Sequence, residues 1–200
     1  MVRMLSNYSN FRALTSFVSS LLVLLMAFVP VLAVAEKADH DKPMNIEADS
    51  LVHDDLQQVS IFTGRAVLTK GTMVLRGERI EIHEDPDGYQ TGIVLPEPGK
   101  RAFFRQKREG VNEFIEGEGQ RIDYDGKSDR VKLTDQAEVR RYVGTVKGDV
   151  MTGQVIVYDN LADVFTIDGQ QSGKTEPGRG GRVRATLVPK DKTNQPSTSK

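Results

Sequence analysis

One seven-residue pattern occurs four times along this chain, and it restricts the fold more than any other feature. Gly119-Gln120-Arg121-Ile122-Asp123-Tyr124-Asp125 is the clearest copy. Gly77 to His83 (GERIEIH) and Gly153 to Asp159 (GQVIVYD) repeat it, and Ala48 to Asp54 (ADSLVHD) is a looser version. Each copy has a small residue first, an aliphatic one fourth, and an apolar or ring-bearing one sixth. Positions four and six point to the same face only if the segment is a β-strand. A short β unit repeated along a chain predicts a stacked or rolled antiparallel sheet.

Between the copies the chain stays β-like. Met44, Ile46 and Ala48 alternate with polar residues from Pro43 onward. Val59 to Lys70 is two β-rich runs interrupted by Gly64, where a bulge or corner is expected. Glu84 to Gly99 carries two turn signals, DPDG and PEPG, and reads as the longest irregular segment, dividing the chain into two similar halves. Phe103 and Phe104 are adjacent on the next strand and must face opposite ways. Val131 to Val139 then follows the third copy as Ser60 to Leu68 follows the first. No helical apolar stripe appears after Ala35, so the expected fold is all-β.

The two ends have different compositions. Arg3 and Arg12 are the only charges before Glu36, and Val18 to Val34 is almost wholly apolar. The run closes on Ala33-Val34-Ala35, so residues 1–35 read as a secretory signal cleaved between Ala35 and Glu36. A retained anchor is the rival reading. Residues 36–189 then form a single domain, with Glu36 to Lys42 frayed at its start. Residues 190–200 have the polar composition of a disordered tail.

Composition removes several functional classes. The chain has no Cys, which excludes a disulfide framework, a thiolate metal site and a Cys nucleophile. A net charge of -1 without a basic block gives no footprint for nucleic acid. His40, His53 and His83 lack metal-ligand spacing, so neither metal nor cofactor is expected. No nucleophile elbow or phosphate loop occurs. Glu116, Glu118, Asp123 and Asp125 are the most tempting carboxylates, and Glu116 with Asp123 is the pair a glycan hydrolase would use. Their strand-like alternation instead suggests a solvated face. The basic clusters at Lys100-Arg101, Arg105 to Arg108 and Arg140-Arg141 read as solubilising charge, with anionic head groups as the alternative. Phe62, Ile80, Ile82, Phe104, Ile122, Tyr124, Ile156, Tyr158 and Phe165, with Ile46 and Leu51, would line one sheet face as a core or an apolar groove.

Five stretches carry a resemblance to a known family: PMNIEADS from Pro43, VSIFTGRAVLTKG from Val59, EGEGQRIDY from Glu116, VKGD from Val146 and RVRATLVP from Arg182. Together the chain resembles the OstA-like (LptA) family of periplasmic lipopolysaccharide transport proteins, from about Pro43 to Pro189. Asp135 departs from the pattern, standing where the family's second half usually repeats the Thr63-Gly64 pair, and there is extra length around Met151 to Val155. The resemblance implies a twisted, open antiparallel β-jellyroll of two similar halves, without enzymatic activity. It implies that lipopolysaccharide passes with its acyl chains inside. It also implies head-to-tail strand addition to further copies of itself, to an LptC-like inner-membrane protein and to the N-terminal domain of an LptD-like outer-membrane protein. Carried over by position, Met44, Ile46, Phe104 and Tyr124 would face lipid, while Phe62, Ile80 and Ile122 join them by alternation. Pro43 to Ala48 and Val183 to Val188 are the expected joining edges. A jellyroll adaptor with a filled core and an LptC-like anchored relative are the competing readings.

Overall fold

The structure, a computed structural model, describes residues 39–108, 110–169 and 181–189. The proposed leader with its Ala35–Glu36 junction, and the tail 190–200, lie outside the described residues. Twelve antiparallel strands follow one another without a helix among the described residues: β1 (Met44–Glu47), β2 (Ser50–Asp54), β3 (Val59–Lys70), β4 (Met73–Glu84), β5 (Gln90–Leu95), β6 (Ala102–Lys107), β7 (Glu113–Gly119), β8 (Arg121–Asp125), β9 (Arg130–Val143), β10 (Val146–Asp159), β11 (Val164–Asp168) and β12 (Arg184–Thr186).

The pairing pattern of β1 to β6 is repeated by β7 to β12. In the first half β3 pairs β1, β2 and β4, and β4 pairs β5 and β6. In the second, β9 pairs β7, β8 and β10, and β10 pairs β11 and β12. Two further ladders, β5 with β8 and β6 with β7, sew the halves together. The boundary between halves therefore falls in the β6–β7 turn. It does not fall at Glu84 to Gly99, which the sequence reading took as irregular but which contains β5. The Gly and Pro turns flanking TGIVL obscure a strand in which Thr91, Ile93 and Val94 are β-formers.

The long strands bend, and the bends create two layers. Between Thr63 and Ala66 the β3–β4 register shifts by one residue, with Gly64 at φ 85° and Arg65 at φ 47°. The equivalent shift in β9 lies between Thr134 and Ala137, with Asp135 at φ 60° and Gln136 at φ 53°. The bulge thus persists where Asp135 replaces the expected glycine, since Asp tolerates the left-handed region better than most residues. Gln154 donates a hydrogen bond to the Asp135 carboxylate and holds it there. The extra length of the second half lies not near Met151 to Val155 but in the β9–β10 hairpin, where a second shift falls between Lys147 and Val150. The fourth motif copy keeps the register of the second.

All four motif copies fall in one layer, here the repeat layer, each starting at the bend. The small first residue has a steric cause: a Cβ on Gly77 would lie 2.5 Å from the Leu95 carbonyl oxygen, and one on Gly153 would lie 2.7 Å from Ile167 Cγ2. The other layer, the companion layer, holds β1, β6, β7, β12 and the remaining halves of the long strands. Ile80, Val94, Ile122, Leu133 and Ile156 of the repeat layer pack against Leu68, Leu75, Phe104, Ile115 and Val139 of the companion layer as the core.

Candidate functional site

Cross-strand pairing lines the inner positions up into rows. In the repeat layer one unbroken row runs Leu51, Phe62, Ile80, Val94, Ile122, Leu133, Ile156, Ile167, one residue from each of eight strands. In the companion layer the facing row begins Ile46, Leu68, Leu75, Phe104 and ends Val139, Met151, Ala185. The two rows make one apolar track along the whole length of the domain. Phe104 and Tyr158 bring their rings together across the layers at 6.3 Å, and Tyr158 stacks on Phe165 at 4.4 Å.

Of the seven candidate lipid-facing residues, Ile46, Phe62, Ile80, Phe104 and Ile122 lie in these rows, and Met44 and Tyr124 face the same interior two residues nearer the strand ends, though not in equivalent settings. Ile80, Phe104 and Ile122 have no exposed surface, and Tyr124 is buried. Met44, Ile46 and Phe62 are half-buried at the β1–β2 end, where no further described strand covers them. Leu51 shares their face but is 56% exposed, against the expectation that it lines a covered surface. Met151, Phe165 and Ile167 form a corresponding half-covered apolar surface at the β11–β12 end. Among the described residues the track is therefore closed in the middle and open at both ends. Val94, Leu68, Leu75 and Leu133 belong to it and were not singled out from sequence. Val94 was hidden by the misreading of β5, and the other three were left out although they alternate within strands already assigned.

The two long sides of the domain differ in kind. The β1–β2 and β7–β8 links, the four bent strands and the β5–β6 connection all cross between layers on one side, the seam. On the other side, the mouth, the described chain places hairpin turns and residues 39–42, and none of these described segments crosses between the layers, so the contacts described across it are between side chains. Lys70 Nζ donates to the Tyr124 hydroxyl at 3.2 Å. Arg108 in the β6–β7 turn reaches Asp163 in the β10–β11 turn, with Nε donating to Oδ1 at 3.1 Å and Nη2 to Oδ2. Tyr158 also donates to Asp163 Oδ1 at 3.1 Å. Residues 39–42 were expected to be frayed, but Asp39 is buried against the turn at Thr72. It accepts hydrogen bonds from the Thr72 amide at 2.7 Å, from the Thr72 hydroxyl, and from Gln106 Nε2 at 3.1 Å.

Electrostatics at the mouth follow from these contacts. The Arg108 guanidinium holds the Asp163 carboxyl below its ordinary range, against the opposing effect of burial. Burial pushes the Tyr124 hydroxyl up, assisted by Asp129, Asp125 and Asp39. Tyr158 is pushed up by burial and by Asp163. Both phenols therefore stay protonated and able to donate.

The tempting carboxylates do not form a catalytic pair. Glu116 is on β7 and ion-pairs with Arg105, while Asp123 is on β8 in the other layer and pairs with Arg121. Glu118 pairs with Arg101 and Arg140, and Asp125 holds its turn through Ser128 and Lys127. The same ladder engages the basic clusters, with Arg141 between Glu113 and Asp149. These arginines are committed to carboxylates and are not the loose solubilising charges expected from the sequence.

A two-layered β unit repeated once, with an apolar track open at both ends, now has counterparts. Residues 45–164 match the family described as LptA/(LptD N-terminal domain) LPS transport protein. This chain belongs to that family. Among LptA-family relatives, the lipopolysaccharide export system protein LptA of Escherichia coli is 30% identical over 178 residues, covering 88% of this chain and 87% of that one. LptH of Pseudomonas aeruginosa, also a lipopolysaccharide export system protein, is 29% identical over 161 residues, covering 80% and 87%. The crystal structure of LptH, described as the LptA-homologous periplasmic component of the lipopolysaccharide transport device, superimposes with a TM-score of 0.64 at 27% identity. It covers 76% of this chain and 99% of the LptH chain. The expected OstA-like jellyroll is thus the fold observed, and the protein's role lies in lipopolysaccharide transport, not in catalysis.

Proposed function

We propose that this protein is a periplasmic bridge subunit that holds the acyl chains of lipopolysaccharide between its two layers and hands them to the next jellyroll. The observation that carries this reading is the apolar track, continuous across eight strands and half-uncovered at each end. A row closed by polar residues would stop an acyl chain, whereas this one lets it move without meeting water. Each methylene kept from water is worth roughly 0.8 kcal/mol, so several acyl chains gain far more from the track than any surface contact offers.

The mouth gives the lipid its way in. Because no described segment crosses between layers there, the layers separate without breaking a strand ladder, and only side-chain contacts such as Lys70–Tyr124 and Arg108–Asp163 must open. Acyl chains then replace the contacts that Ile80, Phe104, Ile122 and Tyr124 make across the layers, and the charged sugar end stays outside. Met44, Ile46 and Phe62 receive lipid at one end, and Met151 and Phe165 pass it on at the other. The partners on this reading are lipopolysaccharide, further copies of the chain, an LptC-like inner-membrane protein and the N-terminal domain of an LptD-like outer-membrane protein. Export by a leader cleaved between Ala35 and Glu36 supplies the location.

Photocrosslinking in cells tests the proposal, with a photoreactive residue at Phe104 or Tyr124 and a control at Lys132, exposed on the outer face of β9. Lipopolysaccharide adducts at the two inner positions and none at Lys132 are expected. No adduct at either inner position, in cells exporting lipopolysaccharide normally, would establish the filled-core adaptor instead.

A further inference from the structure

The interior changes chemistry one step above the apolar track. In the companion layer the next inner positions toward the mouth are, in the first half, Met44, Lys70, Met73 and Gln106. Strand equivalence makes Ile115, Arg141, Asp149 and Leu187 their counterparts in the second half. Tyr124 and Tyr158 stand at the same level in the repeat layer. The two halves use this rung differently. In the second half the cation is answered within the rung, since Arg141 Nη1 donates to Asp149 Oδ2 at 3.3 Å. In the first half Met73 stands where Asp149 does. Lys70 donates to the Tyr124 hydroxyl, with no ion pair of its own among the described residues.

Gln106 is the sharper anomaly in this rung. Only 4% of it is exposed, and its Nε2 donates to the Asp39 carboxylate at 3.1 Å. Its Oε1 has no hydrogen-bond partner among the described residues and no surface that water could touch. Turning the carboxamide over gives no relief, because the oxygen would then face the Asp39 carboxylate, and neither can donate. A buried acceptor without a donor destabilises a fold, and nearly all such groups are satisfied. The fold itself does not call for an amide here, since the equivalent position in the second half is Leu187.

We propose that Gln106, with Lys70 and Tyr124, forms a binding site for the amide that joins an acyl chain to an amino sugar. This rests on the reading that acyl chains lie between the layers, and it names the group gripped where a chain leaves the track. The amide N–H donates to Gln106 Oε1, and its carbonyl accepts from Lys70 Nζ or the Tyr124 hydroxyl. An ester-linked chain brings acceptors only and leaves Oε1 unmet. Depth agrees with this assignment. Gln106 lies two residues toward the mouth from Phe104 on the same face of β6, so a chain lying against Phe104 brings its head end to this rung. Access agrees as well. Gln106 is two residues before Arg108, whose contact with Asp163 spans the mouth, and opening the mouth frees the Lys70 and Tyr124 donors from each other. Burial keeps the Tyr124 hydroxyl protonated and able to donate.

Two probes that differ by one methyl group test the site. N-decanoylglucosamine carries the amide N–H, and its N-methyl derivative keeps the chain and the carbonyl without it. Each is titrated against fluorescent lipopolysaccharide bound to the protein. The N–H probe should displace it at about three- to tenfold lower concentration, the worth of one neutral hydrogen bond. Gln106→Met keeps the side chain's length without the acceptor. It should bring the ratio of the two probes to about one and leave the urea midpoint no lower than the parent's. A steric penalty of the N-methyl group would persist in Q106M and so cannot imitate this result. Gln106→Leu, with the residue of the second half, should behave in the same way. Lys70→Met should weaken both probes by a common factor and preserve their ratio. A ratio near one in the parent, with lipopolysaccharide bound, would overturn the Gln106 site and leave the acyl track standing. A ratio that survives in Q106M or Q106L would do the same, and failure of both variants to fold would assign the carboxamide to the fold instead. A parent that binds no lipopolysaccharide would remove the track reading and the site together.

Discussion

Asp163→Asn tests the mouth most sharply, because it removes a charge that joins the layers without touching the track. Arg108 binds Asp163 through two nitrogens but is also paired with Glu113 in its own layer. Losing Asp163 therefore does not strand a buried cation, and the penalty of several kcal/mol for an orphaned charge does not apply. What is lost is a charge-assisted contact to a carboxylate that is itself 43% exposed, which reduces its worth to about 1–2 kcal/mol. The Asn oxygen still accepts from Tyr158. A loss of 1–2 kcal/mol multiplies the population with an open mouth by about 5–30. If opening precedes capture, fluorescent lipopolysaccharide should load faster by up to that factor, while urea unfolding reports the stability loss. Glu116→Gln breaks the Arg105 pair within one layer and serves as the control. It should cost similar stability without speeding capture. Equal capture rates for D163N and the parent protein, at a confirmed stability loss, would refute the idea that this contact holds the mouth closed.

Other expectations follow from the same geometry. The Asp163 carboxyl sits below its usual value in the fold, so its contribution is complete above an unfolded value of roughly 3.9 and is lost as pH falls through the lower folded one. Arg108, Arg141 and Tyr158 face it, and Arg108 and Tyr158, both shifted upward, keep their protons there, so acid acts on the carboxylate. Labels at Val111 and Leu161 should stay close down to about pH 4 and separate only in stronger acid. Phe104→Ala removes a side chain with no exposed surface and should cost about 3–5 kcal/mol in urea unfolding; a loss under about 1 kcal/mol would mean the layers do not pack on it. Gly153→Ala forces a Cβ to within 2.8 Å of the Asp168 carbonyl oxygen and should destabilise by about 1–3 kcal/mol; a neutral result would show that the seam gives way freely.

Much of this architecture could be read in the chain, and the reasons differ by element. The motif copies were legible because a period of two fixes which side chains share a face, and Ile122 with Tyr124 or Ile156 with Tyr158 keep that period unbroken. Met44 and Ile46 were legible in the same way on a much shorter strand. β5 was missed because its flanking turn residues carry a stronger local signal than the β-formers Thr91, Ile93 and Val94 do. What no local pattern contains is the division into layers, since it depends on where bent strands cross. Hence Arg108 and Asp163, 55 residues apart, gave no sign of meeting. Asp39 was read as part of a frayed start because its neighbours are polar, although its partners Thr72 and Gln106 lie 33 and 67 residues away. Leu51 shows the converse: its face was right, but its exposure is set by the end of a sheet that the sequence does not mark.

The central claim is that acyl chains lie between the layers, and a distance across the mouth tests it directly. Spin labels on V111C in the β6–β7 turn and L161C in the β10–β11 turn, in an otherwise cysteine-free chain, report the layer separation. Saturating lipopolysaccharide should lengthen that distance by about 4 Å, the thickness of one added layer of carbon contacts. An unchanged distance, with lipopolysaccharide shown to be bound, would place the lipid outside the track and contradict the account.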